Sequence, residues 1–496
     1  MDLLLGLDVG TTATKSLLID IKGNIIASSS YNYSLITPQK DFVEQNPEDL
    51  WQGVIATTRN VLDHTNSGDK ILAISFSTQG GTLIPVDGKF NPVYNAISWM
   101  DHRAYKQANE MRETLGDEKV YKKTGWAIYD GLPWLNIIWL RENMPDVFIS
   151  TKYFMFVNDF IIHRLTGQMC MDPSNAGITQ LFDIKTCQWD KDMLDLSGIT
   201  ADQLSPVQKS GFVVGELTQK ASAEVGLPKE TLIINGAHDQ YCAALGSGVI
   251  NPGDVMLSCG TAWVILGVMD KLNFDEKMRL SISPHIVKDR WGALKSMGAV
   301  GSCMEWFLDN IWCRGDREKD IYDRLNVSAS ESQVGSKGLI FFPSSGGYGH
   351  GTRGGFIGLS ISNSIGDMAR AIMEGITFDL RWTLEEVNDA GIETDVLRMV
   401  GGSASSPVWT KIVADVTNIP VILPSVTQSA SYGSALLAGI GCGVFDSPDS
   451  ACQVLSKNER FIEPDKENVV IYDRQFSIYK RAFQQIKDSL TELAEI

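Results

Sequence analysis

Leu3–Asp20, reading LLLGLDVGTTATKSLLID, constrains the rest of the chain more than any other stretch. Two apolar runs of strand length, Leu3–Leu7 and Ser16–Ile19, flank a small polar turn from Asp8 to Thr14. Short apolar runs bounded by turn residues read as a buried β-hairpin. Gly10 permits a tight bend, and Thr11, Thr12 and Thr14 line it with hydroxyl and N–H groups that can cradle phosphate oxygens. Asp8 ends a hydrophobic strand, where an ionised carboxylate is costly unless a cation or hydrogen-bond donors compensate it. A magnesium ion arriving with a nucleotide would do so; an ordinary hairpin with a surface Asp is the plain alternative. Asp254–Gly267 echoes the pattern, with Gly260 and Thr261 at its bend. The repetition suggests a phosphate-gripping device present once per lobe.

At 496 residues the chain is too long for one compact core, and two domains of about 200 to 250 residues are expected. A net charge of −17 with no basic block argues against a nucleic-acid partner. A small anionic ligand then needs a local cluster of donors. The eight cysteines are scattered without a CxxC pair, so structural zinc and a disulfide framework are not expected. No basic leader and no apolar run of about 18 residues stands out, which points to the cytoplasm and away from a membrane.

Taken in order, Asn24–Tyr33 alternates like a strand, and Glu44–Trp51 opens a helix with proline and acids in its first turn. Glu44 and Trp51 read as a helix start or as functional residues alike. Ile71–Ser77 is a strand ending in Gln79, Gly80 and Gly81, and ligands in open α/β sheets sit at such ends. Asn95–Trp99 reads as another strand. Trp99 offers an apolar face for ligand C–H groups, and Asp101 and Arg103 offer charges for hydroxyls, or form an ordinary surface ion pair. Asn158–Gly167 is a glycine-closed helix, Asp172–Gly177 a turn-rich loop, and Leu181–Asp183 a strand. Leu232–Gln240 delivers Asp239 from an apolar strand into a small-residue turn ahead of a helix. There its charged form is favoured, as suits a general base; a helix N-cap is the alternative.

In the later half, Gly298–Trp306 is a loop feeding a helix that presents Gly301 and Glu305. Gly349–Gly354 formally matches GxGxxG but is not followed by a clear helix, so a dinucleotide fingerprint is rejected. Asp367–Ala390 is the longest amphipathic pattern, with Ile372, Ile376 and Leu380 as core. Leu397–Trp409 is a strand, a double-glycine turn at Gly401 and Gly402, and a helix start at Ser406. Ser431–Gly441 is a small-residue helix suited to tight packing near the lobe junction, and the tail from Ile471 is helical.

The ordered motifs LDVGTTATK, TQGGT, ISWMDHRA, VNDFIIHRLTG, GAHDQYCAALG, SCGTAW and GGSASSPVW together resemble the FGGY carbohydrate kinase family over essentially the whole chain. The resemblance implies an α/β architecture of two ribonuclease-H-like, actin-like ATPase lobes around a central cleft. Residues 1–247 would form the sugar side with the catalytic base, and 248–496 the nucleotide side. It implies ATP and Mg²⁺, with Asp8 at the metal and Asp8, Thr11, Thr12 and Lys15 near the phosphates. Asp239 would be the catalytic base. Gly260 and Thr261 would meet the terminal phosphates, and Gly301, Glu305, Gly402 and Ser406 the rest of the nucleotide. Gln79, Gly80, Gly81, Trp99, Asp101, Arg103 and Gln240 fall on the sugar side. Asn158-Asp159 and Gly349–Gly355 depart from the family pattern.

The expected reaction is phosphorylation of a terminal hydroxyl of a small sugar or polyol, D-xylulose first, with a homodimer one compatible assembly. A nucleotide-gated structural or chaperone-like member of the actin superfamily is the competing class. Gly80, Gly81 and Gly131 stand where glycerol kinases, which the chain otherwise resembles, place Arg, Glu and Tyr against glycerol. That exchange predicts room for a five- or six-carbon ketose or polyol, or else glycines that merely permit turns.

Overall fold

In the computed structural model, residues 1–66, 69–313, 318–343, 352–455 and 459–495 are described, and the glycine-rich stretch 344–351 lies outside them. The chain forms two compact units, one of residues 1–250, 269–293 and 428–456 and one of 251–268, 294–427 and 457–496. Two segments of the later half thus belong to the first unit, where a single cut near residue 247 would have left them out.

The first unit is built on the expected hairpin, β1 (Asp2–Val9) and β2 (Ala13–Asp20), antiparallel with Asp8 opposite Lys15. β3 (Ile25–Asn32) extends it on the β2 side. The short β4 (Glu44–Gln45) and helix α1 (Pro47–Leu62) follow, and β5 (Lys70–Thr78) runs parallel to β1 with Asp8 opposite Ser77. Beyond β5 lie Leu232–Ile234, parallel, and Val213–Glu216, antiparallel to it. Asn46 caps α1 by accepting from the Glu48 N–H at 3.0 Å, and proline occupies the first turn, as the sequence signals require. The helix buries Leu50, Trp51, Val54 and Val61 with Leu3, Leu5, Leu7, Val9, Ile74 and Phe76 of the sheet.

On β1 also lies the small-residue helix Ser429–Gly441, inside the first unit. Missing side chains permit its approach. A Cβ at Gly6 would lie 2.0 Å from the Ser431 carbonyl oxygen, and one at Gly433 would lie 1.8 Å from the Cys242 carbonyl oxygen. The Ser434 hydroxyl donates to the Leu7 carbonyl at 3.2 Å. This helix thereby fixes both β1 and the helix Asp239–Gly246, the two elements that carry the carboxylates singled out from sequence.

The second unit repeats the strand plan. Val255–Cys259 and Trp263–Met269 form an antiparallel hairpin, Leu397–Val400 runs parallel to the first of these, Val421–Leu423 parallel to that, and Arg460–Ile462 antiparallel at the edge. Its long helix Ile365–Asp389 starts from a capping box of Ser364 and Asp367 and buries Ile372, Ile376 and Leu380.

Three local readings change. Asp172–Gly177 is no loop: Pro173–Ile178 is a short helix with proline in its first turn, capped by Asp172 accepting from the Ser174 and Asn175 N–H groups. The strands at Asn95–Trp99 and Leu181–Asp183 shrink to two residues each, Ala96–Ile97 and Phe182–Asp183. Among the described residues no helix is long and apolar enough to cross a membrane.

Overpacking of this kind destabilises a fold by typically 1 to 3 kcal/mol. Gly433→Ala should therefore cost about 2 kcal/mol and lower Tm by several degrees. Gly215→Ala, where a Cβ would meet nothing within 4 Å, should leave Tm unchanged. Equal melting of the two variants would contradict the packing argument.

Candidate active site

Three strand ends converge in the first unit. β1 and β5 bring Asp8 beside Ser77, and Ala237–His238 pairs with β5 at Ser77 and Thr78, so Asp239 begins its helix directly beyond them. The Ser77 hydroxyl donates to Asp8 at 2.7 Å. Burial pushes the Asp8 pKa up to about 6; the Ser77 bond opposes this, the charge of Asp239 adds to it, and Lys15 opposes it. Asp239 Oδ1 has no hydrogen-bond partner among the described residues and lies 3.4 Å from His238 Nε2.

His238 was not expected. Its backbone N–H donates to the Ser174 hydroxyl at 2.9 Å, Ser174 donates to Asp172 at 2.5 Å, and Asn175 ties Thr78 to the same carboxylate. The helix misread as a loop thus buttresses the strand end. The signal was present in Asp172-Pro173, a cap followed by proline.

The turn after β1 is tied to Trp99 and, through Gln45, to Gln79. The Trp99 indole N–H donates to Thr11 Oγ1 at 3.0 Å, and Gln45 Nε2 donates to the Thr11 carbonyl at 2.7 Å. Gln79 Nε2 donates to Gln45 Oε1 at 2.9 Å, leaving Gln79 Oε1 without a partner among the described residues. Gln240 Oε1 is unpartnered in the same sense. Thr12 and Lys15 are exposed, and Trp99 is 38% exposed, leaving part of its ring open to a ligand. Gln45 was missed because its neighbours read as a helix start.

Asp101 and Arg103 differ from a surface ion pair. Both are buried, with Glu44, and Arg103 Nη2 lies 2.7 Å from Glu44 and 2.8 Å from Asp101. Asp101 also accepts from the Val43 and Arg103 N–H groups at 2.6 and 2.9 Å, and the guanidinium lies 4.0 Å from the Phe42 ring centroid. Burial alone would raise the Glu44 pKa, but bonds from Asn95, Arg103 and Tyr94 outweigh it and hold the carboxyl below its ordinary range. The cluster engages these charges with one another. It braces β4 and the segment after the short strand Ala96–Ile97, and with them Gln45 and Trp99.

The three glycines do not open empty room. A Cβ at Gly80 would lie 2.3 Å from the His238 ring, and one at Gly131 would lie 2.5 Å from the Trp99 carbonyl oxygen. Gly81 has φ +74°, with Leu132 and Trp99 each 3.2 Å from an added Cβ. Close packing requires the glycines at 80 and 131, and the His238 imidazole occupies the space beside Gly80.

In the second unit Gly260 and Thr261 stand exposed at the hairpin bend. The Gly301 N–H donates to the Thr261 carbonyl at 3.0 Å, and a Cβ on Gly301 would lie 2.2 Å from the Gly260 oxygen. Gly401, at φ +95°, packs its Cα against Cys259, and Gly402 opens a tight turn. Ser406 accepts from the Trp409 N–H at 3.1 Å to cap Pro407–Thr417 and donates to Asn326 at 2.5 Å. Glu305 accepts from the Tyr322 hydroxyl at 2.9 Å. Glycines thus gather backbone from three segments around one exposed turn.

Residues 3–246 match the FGGY family of carbohydrate kinases, N-terminal domain, and residues 255–442 match its C-terminal domain. The chain belongs to the FGGY family of carbohydrate kinases. It is 30% identical over 501 residues to a xylulose kinase of Staphylococcus epidermidis, covering 100% of this chain and 99% of that protein. It is also 28% identical over 506 residues to a gluconokinase of Bacillus licheniformis, covering 99% of this chain and 97% of the relative. The solved structure of a ligand-bound xylulose kinase from Lactobacillus acidophilus matches with TM-score 0.91 and 25% identity over 99% of this chain and 100% of that one. The fold of this FGGY kinase is therefore the two-domain, actin-like ATPase fold expected.

The raised pKa of Asp8 carries a sign. Stability from its protonated form is present below the ordinary 3.8 and lost as pH rises through about 6. The ligand-free Asp8→Asn variant should melt increasingly above the unchanged protein as pH rises across that window. A constant difference in Tm would show that Asp8 ionises without penalty.

Proposed function

We propose that this FGGY kinase transfers the terminal phosphoryl group of ATP to a terminal hydroxyl of a five- or six-carbon ketose or polyol, with D-xylulose the first candidate. The observation that carries the reading is Asp239, held at a helix start beyond three aligned strand ends with one carboxylate oxygen that has no hydrogen-bond partner among the described residues, beside Asp8 and a threonine turn. The names of the relatives support a sugar of this size.

Asp239 accepts the proton of the substrate hydroxyl as that oxygen forms its bond to the γ-phosphorus and the bond to the ADP oxygen breaks. Trp99 supplies a face for sugar C–H groups, and Gln79 and Gln240 supply hydrogen-bonding atoms. Asp101 and Arg103 act on the sugar indirectly, by holding that platform. Thr11, Thr12 and Lys15 in the first unit, and Gly260, Thr261, Gly301, Glu305, Gly402 and Ser406 in the second, are assigned to the nucleotide.

Asp8 fits a cation. A carboxylate whose burial and anionic neighbour raise its pKa to about 6 is relieved by a positive charge. Mg²⁺ held there with the phosphates would neutralise charge on the transferring group. Magnesium ordinarily takes only one or two protein carboxylates, which matches a single Asp8.

Asp239→Ala should lower kcat by about 10² or more while ATP still binds. In a coupled assay of ADP release, the best five- or six-carbon ketose or polyol should exceed glycerol by roughly a hundredfold in kcat/KM. Near-normal turnover by the variant would remove Asp239 as base. Slow ADP release indifferent to every sugar would favour the nucleotide-gated alternative.

A further inference from the structure

Gln79 follows β5, and its backbone N–H donates to the Val9 carbonyl at 3.0 Å, so it sits over the paired ends of β1 and β5. Gln79 and Gln45 are 3% and 1% exposed, so neither amide can turn to water for a missing bond. An amide oxygen and nitrogen are not distinguished by shape, and their assignment follows from the hydrogen-bond network. Here the network starts at the Thr11 backbone carbonyl, which can only accept. Gln45 must therefore present its NH₂ to Thr11, 2.7 Å away, and its oxygen to Gln79. Gln79 must turn its NH₂ to that oxygen, at 2.9 Å, and point its own oxygen the other way. That oxygen has no partner among the described residues.

A buried acceptor left unpaired is unfavourable, so a ligand group that reaches this oxygen on binding brings a donor. A hydroxyl does so; a ketone oxygen, a carboxylate or an ether oxygen would meet it acceptor to acceptor. Thr11 also accepts from the Trp99 indole, so one residue of the phosphate-side turn orients two sugar-side residues.

We propose that Gln45 is a positioning residue that fixes Gln79 as an acceptor, so that the substrate must present a hydroxyl donor at this contact. The proposal rests on the reading of this face as the sugar site. It adds a residue that the sequence placed only in a helix start, and it defines the chemistry of one substrate group.

The test uses the full chain, with the best sugar found, its deoxy analogues and its deoxyfluoro analogues, one carbon at a time. Fluorine can accept a hydrogen bond but cannot donate one. At one carbon other than the phosphorylated one, both replacements should lower kcat/KM by roughly tenfold to a hundredfold, mainly through KM. In Gln45→Met, of similar length and without hydrogen-bonding groups, the gap between hydroxyl and deoxy substrate should shrink severalfold. A fluoro analogue that matches the parent at every carbon would overturn the acceptor assignment. An unchanged gap in Gln45→Met would overturn the role of Gln45.

Amide exchange separates this proposal from the kinase reading. By NMR, the Gln79 side-chain NH₂, assigned by its loss in Gln79→Glu, should exchange slowly in the sugar-free protein. Rapid exchange in the unchanged protein would overturn the relay whatever is phosphorylated. Slow exchange with no turnover of any sugar would instead overturn the proposed substrate class and leave the relay standing.

Discussion

The first unit depends on backbone lying against backbone with no side chain between. Gly6 on β1, Gly246 at the end of the helix after Asp239, and Gly433 in the Ser429–Gly441 helix each face a carbonyl oxygen where a Cβ would stand about 2 Å away. Such contacts are available only to glycine, and they fix distances between elements more tightly than interdigitating side chains do. Asp8 rides on β1 and Asp239 on the helix, so a chain segment more than 180 residues downstream sets where both carboxylates stand.

Around those carboxylates the molecule separates charge that is open to a ligand from charge that is not. Glu44 and Asp101 share the one guanidinium of Arg103 among aromatic rings, and a buried cluster of this kind is strongly destabilised by loss of one member. Its service to the site is geometric, since it braces the chain on either side of Gln45 and Trp99. Asp8, by contrast, is raised by burial and by the charge of Asp239 to a pKa of about 6, more than the Ser77 bond and Lys15 offset. A cation and a hydroxyl proton are the two partners that chemistry of phosphoryl transfer brings to such a pair.

Local sequence patterns revealed the elements because their periodicity and caps are local. Both hairpins, the Asn46-capped helix, the Gly167-closed helix and the long Ile365–Asp389 helix are legible from residues within a few positions of each other. The residues Asp8, Gln79, Trp99 and Asp239 stood out because strand ends in α/β sheets face ligands. What escaped was set by distant partners. No local pattern tells whether Arg103 meets solvent or Glu44, which is 59 positions away. The small residues at Gly80 and Gly131 suggested space, yet His238 and the Trp99 backbone fill it. Gln45 acquires its role only when β4 lies beside the turn after β1, a long-range contact that a helix-start signature conceals.

The central claim is that Asp239 serves phosphoryl transfer to a sugar rather than nucleotide turnover alone. ³¹P NMR of the protein with ATP, Mg²⁺ and D-xylulose or the best-fitting ketose or polyol follows both products in one sample. The account predicts a sugar phosphomonoester signal that grows in step with ADP, and its loss in Asp239→Asn. ADP and inorganic phosphate appearing without a sugar phosphate across the ketoses and polyols would contradict it.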